Sequence, residues 1–172
     1  VKTIMNQSVG EHTFNLMMIL LAVMPEDEDM TRVLKLAAYH DLPEQETGDV
    51  PAPAKWNNQV LRDELHELEA EFNRGWYLTV DCTEPEVWLV KFADRMELLM
   101  YAREELMLGN LHIKNVWERC ATALHVHMDA ADREWSFFIN CVHLFADELV
   151  EGERYVWYEA GVDKQAVPHC GE

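Results

Sequence analysis

The sequence sets a histidine and an aspartate side by side, His40-Asp41, at the end of an apolar helical segment carrying Val33, Leu34, Leu36, Ala37 and Ala38. Burying a charged group is costly unless it is paired or bound to a metal. An imidazole beside a carboxylate suits a divalent transition metal. Two more acids, Glu44 and Asp49, follow in a stretch that turns through Gly48, Pro51 and Pro53. One ion does not need that many carboxylates, so the surplus fits acid-base work on a water. The rest of the chain has to fold around this corner.

The periodicity around it is helical. Gln7 to Met24 reads as a first long helix, with Ser8 as N-cap and Glu11 three residues on, the pattern of a capping box. Phe14, Met17, Met18, Leu21 and Ala22 recur at helical spacing, and His12 faces the same way as Leu16 and Ile19. A second helix starts at Asp29 or Thr31 and leads to His40, where Pro43 limits continuation. Asn57 to Asn73 is a charged amphipathic helix, and Trp76 to Cys82 reads as a loop in which a strand is possible. Thr83-Glu84-Pro85-Glu86 starts a long helix with Pro85 at its first position, and Gly109-Asn110 stops it. Its expected inner face is Val87, Val90, Asp94, Leu98 and Tyr101, so a carboxylate interrupts an apolar stripe. Two further helices are expected, about Ile113 to His127 and Asp132 to Glu151. The expected class is therefore all-α, a domain of about six helices over residues 1–155 with a tail over 156–172.

Composition narrows the function. With 172 residues, one domain is the natural expectation. A formal net charge of −18 argues against a nucleic-acid backbone as partner. No apolar run reaches the ~18 residues of a membrane span. Cys82, Cys120, Cys141 and Cys170 form no CxxC and read as reduced thiols of a cytoplasmic protein.

His12, His40-Asp41 and the Asp94 of Phe92-Ala93-Asp94 come from three separate helices, as the ligands of helical metal sites commonly do. Each alone has an ordinary reading: a core histidine, a hydrogen-bonded pair at a helix end, an acid paired with Lys91 or Arg95. Glu44 alone reads as a solvated loop residue, and Asp49 as a turn residue before Pro51. His125 and His127 with Asp129 offer a poor second metal site, because residues two apart point away from each other on a helix.

Together, H…HD…D resembles the HD-domain metal-dependent phosphohydrolases. The longer pattern HD-x-x-E-x-x-x-x-D-x-P-x-P, from His40 through Glu44 and Asp49 to Pro53, and Gln7-Ser8-Val9-Gly10-Glu11-His12 are similar to the YfbR-like 5′-deoxynucleotidase branch. That resemblance covers about residues 7–105. It implies a compact helical fold around one metal site, with His12, His40, Asp41 and Asp94 as ligands. It implies that Glu44 positions the attacking water and that Asp49 acts near the leaving oxygen. The branch also has an Arg-Trp pair shortly before the first motif, and residues 1–11 contain neither. Either that pair lies upstream of Val1 or the substrate is held differently. Lys55 and Lys91 are the basic residues expected to reach a phosphate.

The implied activity is removal of phosphate from deoxynucleoside 5′-monophosphates. The alternatives are a triphosphohydrolase on deoxynucleoside triphosphates, as in a related phage branch, and a nucleotide-binding regulatory protein without turnover. The implied cofactor is one divalent ion, Zn, Co, Mn or Fe, or Mg with a polyphosphate substrate. The implied partners are a small-molecule deoxynucleotide and further copies of the chain in a homo-oligomer, with no nucleic acid and no membrane.

Overall fold

The computed structural model describes residues 3–44, 48, 50, 54, 57–75 and 80–158. Among them the chain is all-α, with no strand. The helices are α1 (Val9–Val23), α2 (Thr31–Tyr39), α3 (Gln59–Gly75), α4 (Glu84–Met107), α5 (Lys114–Asp129) and α6 (Phe138–Tyr158). No described helix is long and apolar enough to cross a membrane. The chain divides into two compact units, Ser8–Lys91 on one hand and Val1–Gln7 with Phe92–Glu172 on the other.

In the Ser8–Lys91 unit, α1 opens on the expected capping box. The Ser8 hydroxyl accepts the Glu11 N–H at 3.2 Å, and the Glu11 carboxylate accepts the Ser8 N–H at 2.8 Å. The buried face of α1 is Leu16, Ile19, Leu20 and Val23, the face that His12 shares, while Phe14, Met18 and Leu21 are exposed. From Leu16 to Met24 the sequence is apolar all round, so periodicity alone does not select the core face. Helix α1 packs on α2, whose Val33 and Ala37 are buried. Helix α3 buries Leu65 and leaves Val60 and Leu68 in solvent. At the start of α4, the Glu86 carboxylate accepts the Thr83 N–H at 2.6 Å and the Arg32 Nε–H at 2.8 Å, which ties α2 to α4. Glu84 is the first helical residue and Pro85 the second, one place later than the sequence suggests. Proline fits there too, because first-turn N–H groups have no partner inside the helix.

In the other unit, α4 is buried on more than one face: Phe92, Ala93, Met96, Leu99, Ala102 and Leu106 are all inside. The expected stripe is therefore too narrow. Asp94, Leu98 and Tyr101 are only half-buried. Two carboxylates on this stretch, Glu97 and Glu105, are also buried, and both are hydrogen-bonded. Glu105 accepts the backbone N–H groups of Ile4 and Met5 and the Asn110 amide, at 2.8, 2.5 and 2.6 Å. Burial raises its pKa, but these donors win and hold it below the usual carboxylate range. Tyr101 donates its hydroxyl to the Met5 carbonyl at 2.8 Å, and Glu97 accepts the Gln7 amide. Spaced four apart, these three side chains form one row along α4 that holds the N-terminal segment.

Helix α4 stops at Gly109, which takes φ +84° and lets Asn110 N–H reach the Glu105 carbonyl at 2.9 Å. Helix α6 begins at Phe138 rather than at Asp132. The Asp132 side chain accepts the Glu134 N–H at 3.0 Å, and the Asp132 carbonyl accepts the Trp135 N–H at 3.3 Å. These short-range bonds compete with a helical ladder. The Arg103 guanidinium on α4 pairs with Glu148 and Glu151 on α6 at 2.9 and 3.1 Å. Burial pushes Glu148 up to about 7, against the pull of Arg103 and with help from Glu151 and Glu104.

Gly152 lies against the buried ring of Trp117, where a Cβ would stand 2.3 Å from Cζ2. In an exposed helix Gly→Ala stabilises by roughly 1 kcal/mol. Here the sign reverses: Gly152→Ala is expected to destabilise by about 1–3 kcal/mol through overpacking. Urea denaturation of the purified protein checks it, and an unchanged or raised midpoint contradicts the close approach.

Candidate metal centre

His12 is the fourth residue of α1, and its N–H bonds to the Ser8 carbonyl at 3.0 Å, so the capping box fixes the turn that carries it. His40 caps the C-terminus of α2, with its N–H on the Leu36 carbonyl at 3.0 Å. Pro43 has no N–H to extend the helix. Past His40 the chain continues in tight turns, Leu42 N–H to Tyr39 carbonyl at 3.2 Å and Glu44 N–H to Asp41 carbonyl at 3.0 Å. Pro43 itself is fully buried. This places Asp41 directly beside His40 and sets Glu44 one tight turn further along.

The Oδ2 atom of Asp41 lies 3.2 Å from His12 Nε2 and 3.2 Å from His40 Nε2, with all three side chains half-buried. The two imidazole rings are 5.5 Å apart, centroid to centroid. Burial works to raise the Asp41 pKa, but the imidazoles of His12 and His40 beside its carboxylate hold it far below the usual carboxylate range.

The other nitrogen of His40 explains why the pairing points to a cation. Nδ1 lies 2.7 Å from the Ala37 carbonyl, which can only accept, so Nδ1 carries a proton. In a neutral ring Nε2 is then a lone pair, and it faces a carboxylate oxygen. Two acceptors this close need a positive charge between them, either a second proton or a metal ion. A backbone carbonyl on the far nitrogen is also the usual partner of a ligating histidine, fixing its tautomer and aim.

A separate grouping joins the two histidines to Asp94 and does not include Asp41. One nitrogen each from His12 and His40 and one carboxylate oxygen of Asp94 lie within 4.8 Å of one another, a grouping that can hold a metal ion. It is the only such grouping of three or more among the described residues, so His125, His127 and Asp129 do not form a second one. Nitrogen and carboxylate donors of this kind fit a first-row divalent ion.

Of the remaining expected site residues, Glu44 is half-buried and its carbonyl accepts the Gly48 N–H at 2.8 Å. Lys91 is exposed on α4. Asp49 and Lys55 lie outside the described residues. The ion pair considered between Asp94 and Arg95 is not made: Arg95 has no ion pair or hydrogen bond among the described residues. The buried acids Glu97 and Glu105 escape a reading by sequence. Their only signal is the four-residue spacing with Tyr101.

A profile for the family described as 5′-deoxynucleotidase YfbR-like matches residues 1–145. A protein of Photorhabdus temperata named 5′-deoxynucleotidase yfbR is 26% identical, over 86% of this chain and 87% of its own length. A 5′-deoxynucleotidase of Cronobacter sakazakii is 28% identical over 86% of each chain. A dATP triphosphohydrolase of Acinetobacter phage SH-Ab 15497 is 26% identical, over 77% of this chain and 74% of its own. The matched span contains His12, His40, Asp41, Glu44, Asp49 and Asp94 together, and on it the chain belongs to the YfbR-like 5′-deoxynucleotidase family.

Proposed function

We propose that this protein hydrolyses deoxynucleoside 5′-monophosphates to a deoxynucleoside and inorganic phosphate. The observation that carries the reading is the pair of imidazole Nε2 atoms turned on one carboxylate oxygen, with His40 Nδ1 already committed to Ala37. That arrangement calls for a cation beside an acid, Glu44, that the donor set does not use. His12, His40, Asp41 and Asp94 would hold the ion. When bound, a divalent ion lowers the pKa of water from ~15.7 toward ~7 and offsets charge on phosphate oxygens. Glu44 would orient the attacking water and take its proton as the water oxygen bonds to phosphorus. Asp49 would deliver a proton to the 5′ oxygen as the P–O5′ bond breaks. No covalent intermediate is needed.

The metal would be Zn, Co, Mn or Fe, with Mg available to a polyphosphate substrate. The phage relative supports a second reading, release of inorganic triphosphate from deoxynucleoside triphosphates. A longer polyphosphate needs more cations around it, and a chain with only 14 lysines and arginines favours the monophosphate. The test is incubation with each deoxynucleoside mono- and triphosphate under several divalent metals, followed by product chromatography. Deoxynucleoside and phosphate from the monophosphates are expected. Inorganic triphosphate alone would replace the first reading by the second, and no hydrolysis under any metal would remove both.

A further inference from the structure

We infer that Glu97 is a positioning residue of the metal centre: through Gln7 it links the turn of α1 that carries His12 to the row on α4 that carries Asp94. The inference rests on the metal-dependent reading above and adds to it a residue that touches neither ion nor substrate.

Asp94, Glu97, Tyr101 and Glu105 are spaced three, four and four apart, so they lie along one side of α4. The last three grip the segment before α1, and Glu97 is the grip nearest Asp94, one turn away. Its carboxylate, in a residue only 3% exposed, accepts the Nε2–H of half-buried Gln7. Gln7 adjoins Ser8, the N-cap of α1, whose carbonyl accepts the His12 N–H at 3.0 Å. The Ser8–Glu11 capping box keeps that turn from opening. His12 and Asp94, two members of the grouping that can hold an ion, are thus joined by a second path, His12–Ser8–Gln7–Glu97–Asp94. Each step on it is a peptide bond, a hydrogen bond or a single helical turn.

Stability alone does not call for a carboxylate at this place. A buried acid gives up hydration that its hydrogen bonds only partly replace, and an apolar side chain of the same size has no such cost. What the acid adds is direction, because a fixed acceptor decides where Gln7 and the turn after it sit. Metal ligands depend on such outer partners for their aim. The competing role is a plain anchor of the N-terminal segment, like that of Tyr101, with no bearing on the ion.

Titration of Co²⁺ into the chelator-stripped whole chain, followed by visible absorption at a temperature where every variant is folded, separates the two. Glu97→Leu fills the place without an acceptor, and is expected to alter the Co²⁺ bands and weaken binding by about 10–100-fold, the usual effect of losing an outer partner. Glu97→Gln keeps an acceptor for the Gln7 amide and should bind as the unmodified protein does. Gln7→Ala, outside any helix, breaks the same link from the other side. It should match Glu97→Leu, with no further loss in the double variant. Tyr101→Phe removes the next grip and should lower the thermal midpoint while leaving Co²⁺ affinity alone. Unchanged affinity in Glu97→Leu overturns the inference and leaves the metal-dependent reading in place. An equal loss in Tyr101→Phe also overturns it, by assigning the effect to the segment as a whole. Should Glu97→Leu fail to fold, Gln7→Ala decides by the same readings. An unmodified protein that takes up no Co²⁺ sinks both readings together. One that shows the coupling but hydrolyses no deoxynucleotide sinks the activity and leaves this inference standing.

Discussion

Asp41→Ala is expected to purify without its divalent ion and to show no measurable hydrolysis of any deoxynucleotide. The carboxylate oxygen lies 3.2 Å from both imidazole Nε2 atoms, so one change empties the point on which two histidines converge. Removing even an outer partner of a metal ligand typically weakens binding by roughly 10–100-fold. Removing one of four donors should exceed that, and losing the ion removes the step that makes water nucleophilic at neutral pH. Elemental analysis and initial rate on one preparation are the measurements. A stoichiometric ion in Asp41→Ala would mean that His12, His40 and Asp94 suffice, as ligand atoms within 4.8 Å of one another make geometrically possible. Asp41 would then be a partner that aims the histidines.

The sequence exposes this corner because its chemistry conflicts with its surroundings. An apolar helix does not end in His40-Asp41 without a reason, and a proline two residues later says where the helix has to stop. Helix α1 is read correctly at its cap, since Ser8 and Glu11 are a local device three residues apart. Its core face is harder to read, because Phe14, Met18 and Leu21 are as apolar as Leu16, Ile19 and Leu20. Only the packed structure tells which stripe is inside. The start of α6 is misplaced for a related reason: 132–137 has helical composition, but the Asp132 side chain bonds its own backbone neighbours.

Glu97 and Glu105 are the larger gap. Glutamates on a helix read as solvated. Here their partners are backbone groups and an amide about 90 to 100 residues away in sequence. No window on the chain contains both ends of such a bond.

Glu44→Gln is expected to keep its metal and its affinity for nucleotide while turnover falls by roughly 10²–10⁴-fold, the usual share of general acid-base catalysis. The geometry singles it out. Its N–H is bonded to the Asp41 carbonyl at 3.0 Å, so its backbone is set one tight turn beyond the residue that meets both histidines. Like Asp41 it is not part of the grouping formed by His12, His40 and Asp94, but it is Asp41 whose carboxylate meets both histidines. An acid held near an ion without being a ligand can orient a water and accept its proton. Glutamine keeps the size and the hydrogen-bonding reach and loses the basicity, so structure and binding should survive the change while proton transfer does not. Metal content, calorimetric nucleotide affinity and initial rate, measured on one preparation, separate the outcomes. Turnover near that of the unmodified protein would take Glu44 out of the mechanism. Loss of the ion together with the rate would instead make Glu44 a ligand, and the donor set would have to be redrawn around it.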